Sequence, residues 1–341
     1  MGEENYAVLR NGFYDNRSYP TWAKAGKVFE QPTSAKEAWE ALGPFTIEKQ
    51  PIYRRDSHDN YHPTGQKALV RLPYRHDMAE QQLGIIGKDY QFVEPAKFIE
   101  MWDRNVVDED GRGLPVDTIA ALKGGANLVI ATKLPSFAVQ GDAVENFLML
   151  VAPFTPGYAV QAFVTSVRLW CMNQLARAVK GATQYFHAPH KGRLEDKLET
   201  WLHGIYAGGE KSLPIVQSAY EHLAKTRLTK EQTTEILQRV YPMPESPAEG
   251  VADFEQREMA WEKAWDRCKM YRAGVRTLYE GIGTRMDTVA VEGTAFGLLN
   301  AVSEYEDWRE TRSIKAVAEQ MIVGRRQATI DKAFRALVAV K

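Results

Sequence analysis

The spacing of apolar residues changes character along the chain. Near the N-terminus, Ser34 and Glu37 form a capping-box pattern that predicts the start of a helix. The two-residue alternation typical of strands recurs between residues 45 and 86, and again in four runs between residues 116 and 164. Residues 54–65 have the polar composition of a loop.

Helical spacing dominates the second half of the chain. It predicts helices over residues 167–180, 194–206 and 213–223, and a later helix that begins with a capping box of Thr229 and Gln232. This order predicts an α+β fold, with a mostly antiparallel sheet and packed helices in the N-terminal half and a helical C-terminal half. The chain divides into an irregular N-terminal arm (residues 1–32), a strand-rich α+β core (residues 33–190) and a helical region (residues 191–341).

Composition narrows the class of protein. Of 341 residues, 44% are hydrophobic and 26% are charged, as in ordinary soluble proteins. Because the net charge is −1, any nucleic-acid surface has to be a local patch. The polar N-terminus does not resemble a signal peptide, and no apolar run is long enough to span a bilayer. Two cysteines without CxxC spacing, Cys171 and Cys268, predict reduced thiols in a cytoplasm.

Motifs of the common enzyme classes are missing. The sequence contains neither a phosphate-binding loop nor a nucleophile elbow, and its scattered carboxylates offer no general acid–base pair. Asp56, His58 and His62 bring metal-type ligands together, but a solvated polar loop explains them as well. The sequence leaves enzymatic activity undecided and favours a non-enzymatic protein. It nominates no catalytic residue, metal site or cofactor.

The local distribution of charge is more informative. No Asp or Glu occurs from residue 146 to residue 194, a stretch that also carries five cations. On a helix over residues 167–180, Arg177 and Lys180 would share the polar face. Arg168 would lie on the apolar face, where we expect a half-buried arginine with a fixed partner.

A second group of cations alternates with aromatic residues in the strands that follow residue 45. Cations that neutralise phosphates, beside rings that stack on bases, are the two ingredients of a single-strand binding groove. The alternative is that these are ordinary surface cations on a solvated face. The candidate nucleic-acid-binding residues are Lys49, Tyr53, Arg54, Arg55, Tyr61, Lys67, Arg71, Arg168, Arg177 and Lys180.

Three segments together resemble a known family. Residues 84–90 match a G-x-x-G-x-x-Y pattern, residues 165–175 match T-x-x-R-x-x-C-x-N-x-L, and residues 293–305 are similar to G-T-x-x-G-x-x-N-A-V-T-E-Y. The family is a domain of unknown function, often labelled phage/plasmid-like protein. The chain departs from its pattern at Trp308, where the family usually has His, and at Pro156, where it often has Asp.

The resemblance implies a setting in phages and conjugative plasmids, and therefore in the cytoplasm of a bacterial host cell. It also suggests similarity to phage single-strand annealing proteins, which bind DNA in a basic groove, assemble into rings or filaments and are not known for an organic cofactor. This second likeness is an analogy at the level of the fold.

These observations lead to three hypotheses. The first is a single-stranded DNA-binding protein that acts in strand annealing or DNA recombination as a homo-oligomer, away from membranes. The second is a non-enzymatic anti-restriction or anti-defence protein with a host or phage protein as its partner. The third is a metal-dependent nuclease that uses residues 56–62.

Overall fold

The computed structural model of the chain describes ten separate stretches of it. They are residues 6–10, 27–29, 33–73, 79–108, 110–140, 142–168, 185–248, 253–282, 292–308 and 325–340. The strands in them are β1 (Tyr6–Arg10), β2 (Lys27–Phe29), β3 (Ile47–Arg55), β4 (Tyr61–Arg71), β5 (Gln81–Ile86), β6 (Thr118–Leu122), β7 (Asn127–Val139), β8 (Asp142–Pro153), β9 (Ala159–Arg168) and β10 (Tyr185–Pro189). The helices are α1 (Ala35–Leu42), α2 (Pro95–Asn105), α3 (Leu194–Lys225), α4 (Lys230–Val240), α5 (Phe254–Tyr279), α6 (Ala295–Trp308) and α7 (Arg325–Val338).

Two sheets organise the N-terminal half. Seven strands form one sheet in the order β10-β9-β8-β7-β6-β1-β2, and β3-β4-β5 form a second, smaller sheet. The pairs are antiparallel except that β1 runs parallel to β2. The predicted α+β fold, with sheets in the N-terminal half and mostly helices in the C-terminal half, is confirmed.

The apolar side chains form two buried clusters. The first lies between the sheets, α1 and α2, with Phe98, Trp102 and Phe154 among its largest members. The second lies among α4, α5, α6 and α7 and includes Phe296 and Phe334. Helix α3 contributes to both, because its first half packs on the sheet cluster and its last turns pack on the helical cluster.

Both predicted capping boxes are present. The Ser34 hydroxyl accepts from the Glu37 amide at 3.2 Å, and the Glu37 carboxylate accepts from the Ser34 amide at 2.9 Å. Thr229 and Gln232 make the same reciprocal pair at the start of α4. Side chains therefore satisfy amides that the first helical turn leaves without partners.

The loop predicted for residues 54–65 is wrong. Strands β3 and β4 continue through most of it, and the turn is confined to residues 56–60. The Asp56 carboxylate closes this turn by accepting the amides of His58 at 2.8 Å and Asn60 at 3.0 Å. Both faces of the hairpin meet solvent here, so the sequence lacks the apolar–polar alternation of a half-buried strand.

The helix predicted for residues 167–180 is wrong at its start. Val167 pairs with Glu145, and Arg168 pairs with Val144, as the last residues of β9. The remainder of that helix lies outside the described residues. β-branched residues near position 165 favour the strand, and pairing with β8 extends it. Arg168 therefore does not lie on an apolar helix face.

Four further elements depart from the predictions. One continuous helix, α3, runs through Pro214 where the sequence predicts two helices. Strand β10 and the pair β1 and β2 in the N-terminal arm are not predicted, because their places in a sheet depend on distant partners.

Within the described ranges, no helix combines the length and apolarity that crossing a membrane requires.

Candidate nucleic-acid interface

The hairpin of β3 and β4 projects from the body of the protein. We call its outer part, residues 51–67, the ribbon. The structure describes every residue of the ribbon, and none of them is buried. At its base, Ile47 and Leu69 are 1% and 0% exposed and belong to the sheet cluster. The ribbon is therefore anchored by apolar packing at one end and open to solvent on both faces.

Strand pairing assigns side chains to the two faces of the ribbon. Tyr53 lies opposite Pro63, and Arg55 lies opposite Tyr61. Directly paired residues share a face and neighbours in sequence alternate, so these four residues form one face, the aromatic face. Arg54 lies opposite His62 on the other face. Tyr53 is 53% exposed and Tyr61 is 67% exposed, so their rings remain open to solvent.

Acidic residues occupy the turn of the ribbon. The Asp56 carboxylate bonds to His62 Nε2 at 2.8 Å, and the Asp59 carboxylate forms an ion pair with Arg55. The hydrogen bond from His62, together with the backbone amides, lowers the pKa of Asp56 to about 2. Arg55 thus already has an anionic partner, although both members of that pair are exposed and screened by solvent.

The metal-type ligands of the turn do not converge. Asp56 and His62 bond to each other, and His58 contributes its backbone amide to the turn. Among the described residues, no group of three or more His, Cys, Asp or Glu side chains is placed to hold a metal ion.

Arg71 does not belong to the ribbon surface. It is 3% exposed at the end of β4, and its guanidinium donates to the carbonyls of Gly124 at 2.7 Å and Ala79 at 2.9 Å, and to the Gln81 side chain at 3.2 Å. A buried guanidinium with these acceptors is a structural clamp. Its assignment as a phosphate contact is therefore wrong. The sequence does not reveal this, because the strand pattern does not show that the core reaches this position.

Besides Arg55, three predicted cations are exposed along β3 and β4. Arg54 and Lys67 form no ion pair with any residue that the structure describes. Lys49 is exposed as well, and its Nζ lies 5.4 Å from the centre of the Phe92 ring. Burial raises the pKa of Glu94, and the nearby charge of Lys49 acts against that shift. Lys49 is thus the least available of the three.

The remaining predicted cations are not assembled with the ribbon. Arg168 ends β9, and its side chain lies outside the description. Arg177 and Lys180 also lie outside the described residues. The structure brings together six of the predicted residues on β3 and β4: Lys49, Tyr53, Arg54, Arg55, Tyr61 and Lys67.

Beside β5, the structure joins two segments that the candidate list does not contain. The Gln91 amide donates to the His190 carbonyl at 2.9 Å, and the Tyr90 ring stacks on the His190 ring with centroids 4.8 Å apart. His190 is 2% exposed, and its Nε2 lies 2.8 Å from the Pro153 carbonyl oxygen. These contacts hold residues 87–92 against residues 190–193. The only sequence signal for the second segment is its place in the acid-free stretch.

The motifs at residues 84–90 and 293–305, which resemble the family pattern, contain closely packed residues. A Cβ on Gly84 would lie 2.4 Å from the Pro156 ring, and Tyr90 is the residue that stacks on His190. Asn300 is 5% exposed within α6. These positions support the fold rather than line an open site.

Comparison with known proteins gives a family. Residues 82–332 match the family described as Domain of unknown function (DUF932), and this range covers most of the chain. Neither the curated proteins nor the solved structures contain a match. The matched range begins within β5 and ends within α7, so it includes the seven-stranded sheet from β6 onwards and the helical half. The chain belongs to the family described as Domain of unknown function (DUF932).

Proposed function

We propose that the chain binds single-stranded nucleic acid along the ribbon. The observation that supports this most directly is that Tyr53 and Tyr61 are 53% and 67% exposed. An exposed tyrosine ring offers a flat apolar surface, and here two such rings share one face of a projecting hairpin. Arg54 and Lys67 provide positive charge on the same hairpin.

The chemistry of this surface suits unpaired bases. Stacking of a base on an aromatic ring contributes about 1–3 kcal/mol per base and tolerates any sequence. Stacking needs bases whose faces are free, which a single strand offers and an intact duplex does not. The acidic turn at Asp56 and Asp59 repels phosphates, so the bound strand would lie along the ribbon rather than around its tip.

The biological setting is part of the same proposal. We place the protein in the bacterial cytoplasm, encoded by a phage or plasmid, where it protects or anneals incoming single strands. Annealing requires two bound strands to meet, so we also propose a homo-oligomer. Size-exclusion chromatography with light scattering, with and without an oligonucleotide, tests the assembly. A monomer under both conditions would remove annealing from the proposal and leave strand binding.

Fluorescence anisotropy of a labelled oligothymidine of about 20 nucleotides tests strand binding. Tyr53→Ala with Tyr61→Ala should raise Kd at least about tenfold, because two stacking platforms are lost. Tyr158→Ala is the matched control, since Tyr158 is 63% exposed in the β8–β9 connection and is not part of the ribbon. Absence of binding by the wild type, or equal losses in both variants, would overturn the proposal.

The cations are tested by their salt dependence. Arg54→Ala with Lys67→Ala should flatten the slope of log K against log salt concentration by about 0.7 for each lost phosphate contact. Arg257→Ala with Lys263→Ala is the control, because these are exposed cations on α5. Equal slopes for all three proteins would exclude Arg54 and Lys67 as phosphate contacts.

A role in binding a protein partner is the second candidate, and α5 favours it. The structure describes all 26 residues of this helix, and Val275 is the only buried one. Met259 and Met270 are 53% and 57% exposed, and flexible methionines suit protein interfaces. A pull-down from host lysate tests this candidate. It is favoured if the chain does not bind the oligonucleotide but captures a host protein, and if Met259→Asp with Met270→Asp abolishes that capture.

A further inference from the structure

We infer that the bound strand continues from the ribbon across residues 87–92 to the turn at residues 190–193. This inference rests on the proposed function and extends its site. Residues 87–92 and 190–193 are called the extension below. The ligand is a single-stranded polyanion longer than the ribbon alone can contact.

The first link joins the ribbon to residues 87–92. The base of the ribbon reaches this segment directly, because Lys67 pairs with Ile86, the last residue of β5. From the other strand, the Lys49 Nζ lies 5.4 Å from the centre of the Phe92 ring. Lys49 lies on β3 two residues inward of the ribbon, beyond the register shift between Pro51 and Tyr53. The inner end of the ribbon therefore leads towards residues 87–92.

The second link joins residues 87–92 to the turn at residues 190–193. The Gln91 amide donates to the His190 carbonyl at 2.9 Å, and His190 Nδ1 lies 3.1 Å from the Gln91 carbonyl oxygen. The Tyr90 and His190 rings stack with an angle of 12° between their planes. The backbone hydrogen bond between Gln91 and His190, together with the stacked rings, fixes the turn beside the loop.

Exposed basic side chains lie in both segments of the extension. Lys88 and Lys191 are exposed and form no ion pair with any described residue. Arg193 lies 3.5 Å from Asp196, but both side chains are largely exposed, so solvent screens this pair and a phosphate can compete for the arginine. Asp89 is the acidic residue within the extension, and Glu195 lies two positions after the second segment of the extension. Lys67, Lys88 and Lys191 thus offer a series of phosphate contacts.

The length of the ligand separates this inference from the proposed function. A labelled oligothymidine of about 6 nucleotides can occupy the ribbon, whereas one of about 20 nucleotides can also reach the extension. Wild-type protein should bind the longer probe at least about tenfold more tightly. Lys88→Ala with Lys191→Ala should remove most of that gain and flatten the salt slope for the longer probe by about 1.4, two contacts at about 0.7 each.

Lys263→Ala with Lys332→Ala is the matched control, because it removes two exposed lysines from α5 and α7. Loss of affinity for the long probe alone, in the Lys88 and Lys191 variant alone, supports the extension. If wild type binds both probes but the variant binds the long probe as wild type does, the extension is overturned and ribbon binding stands. If neither probe binds wild type, the proposed function fails and the extension fails with it.

Discussion

The Arg71 guanidinium donates to the Gly124 carbonyl across a distance of 2.7 Å. Arg71 ends β4 of the small sheet, and Gly124 lies in the turn between β6 and β7 of the large sheet. One buried side chain therefore ties the two sheets together at the base of the ribbon. Gly124 has a φ of +64°, and a Cβ there would lie 2.7 Å from the Gln81 side chain, so a glycine keeps this approach open.

Arg71→Ala should lower the free energy of unfolding by about 3 kcal/mol, because it leaves buried carbonyl oxygens without donors. Urea denaturation followed by tryptophan fluorescence measures this loss. Arg54→Ala, at an exposed position on the same hairpin, should change stability little. Equal stability of the two variants would contradict the role of Arg71 as a clamp.

Gly84→Ala should destabilise the fold by about 1–3 kcal/mol, because the new Cβ would overlap the Pro156 ring and force β5 away from the β8–β9 turn. Gly87→Ala is the control within the same motif, since nothing lies within 4 Å of its Cβ position. Thermal melting by circular dichroism compares them. A Gly84→Ala variant as stable as Gly87→Ala would refute this packing.

Gly274→Ala and Gly204→Ala should change stability in opposite directions. Alanine in a helix normally stabilises relative to glycine by about 0.5–1 kcal/mol, and nothing lies within 4 Å of the Cβ position at Gly204 in α3. At Gly274 in α5 the Cβ would lie 2.3 Å from the Tyr305 ring of α6, so the helices must separate. Urea denaturation of both variants measures the two signs, and stabilisation by Gly274→Ala would contradict the close crossing.

The turn of the ribbon should lose order in acid. The pKa of Asp56 is lowered to about 2 from its usual 3.8, so its stabilising contribution is complete above about 3.8 and disappears as the pH falls through about 2. His62→Ala should move the midpoint of the Asp56 carboxyl resonance upwards in an NMR titration. His58→Ala should leave it near 2, because His58 acts through its backbone amide. Equal midpoints in the two variants would exclude the His62 bond as the main cause.

Local signals in the sequence were sufficient for several elements. Ser34 with Glu37, and Thr229 with Gln232, locate two helix starts because a capping box depends only on residues three positions apart. Pro95 similarly marks the start of α2, because proline fits the first turn of a helix. The hairpin between β8 and β9 follows from its turn residues.

Elements that depend on distant partners could not be predicted in this way. Residues 54–65 carry no apolar alternation, and only pairing between β3 and β4 makes residues on either side of the turn at 56–60 strands. Arg168 belongs to β9 because β8 is long enough to pair with it. Residues 185–189 become β10 for the same reason. Whether these residues form strands depends on tertiary contacts, which the local sequence pattern does not encode.

The candidate site shows the same limit. Arg54 and Arg71 look alike in the sequence, since both follow aromatic or apolar residues in strands. Only the fold shows that Arg54 is exposed while Arg71 is 3% exposed and bonded to the large sheet. The approach of residues 87–92 to residues 190–193 is likewise a contact across about 100 positions of the chain. The residue types indicated which side chains could bind nucleic acid, and the topology of the chain determines which of those side chains lie close together.

Photo-crosslinking to a single strand that contains 5-bromouracil tests the central claim most directly, because the reaction requires a base in contact with a side chain. After digestion, mass spectrometry locates the modified residues. If a single strand binds along the ribbon, adducts form at Tyr53 and Tyr61 and are lost when unlabelled single strand competes. Adducts confined to exposed tyrosines elsewhere, such as Tyr158, or no adducts under conditions of saturation, would contradict it.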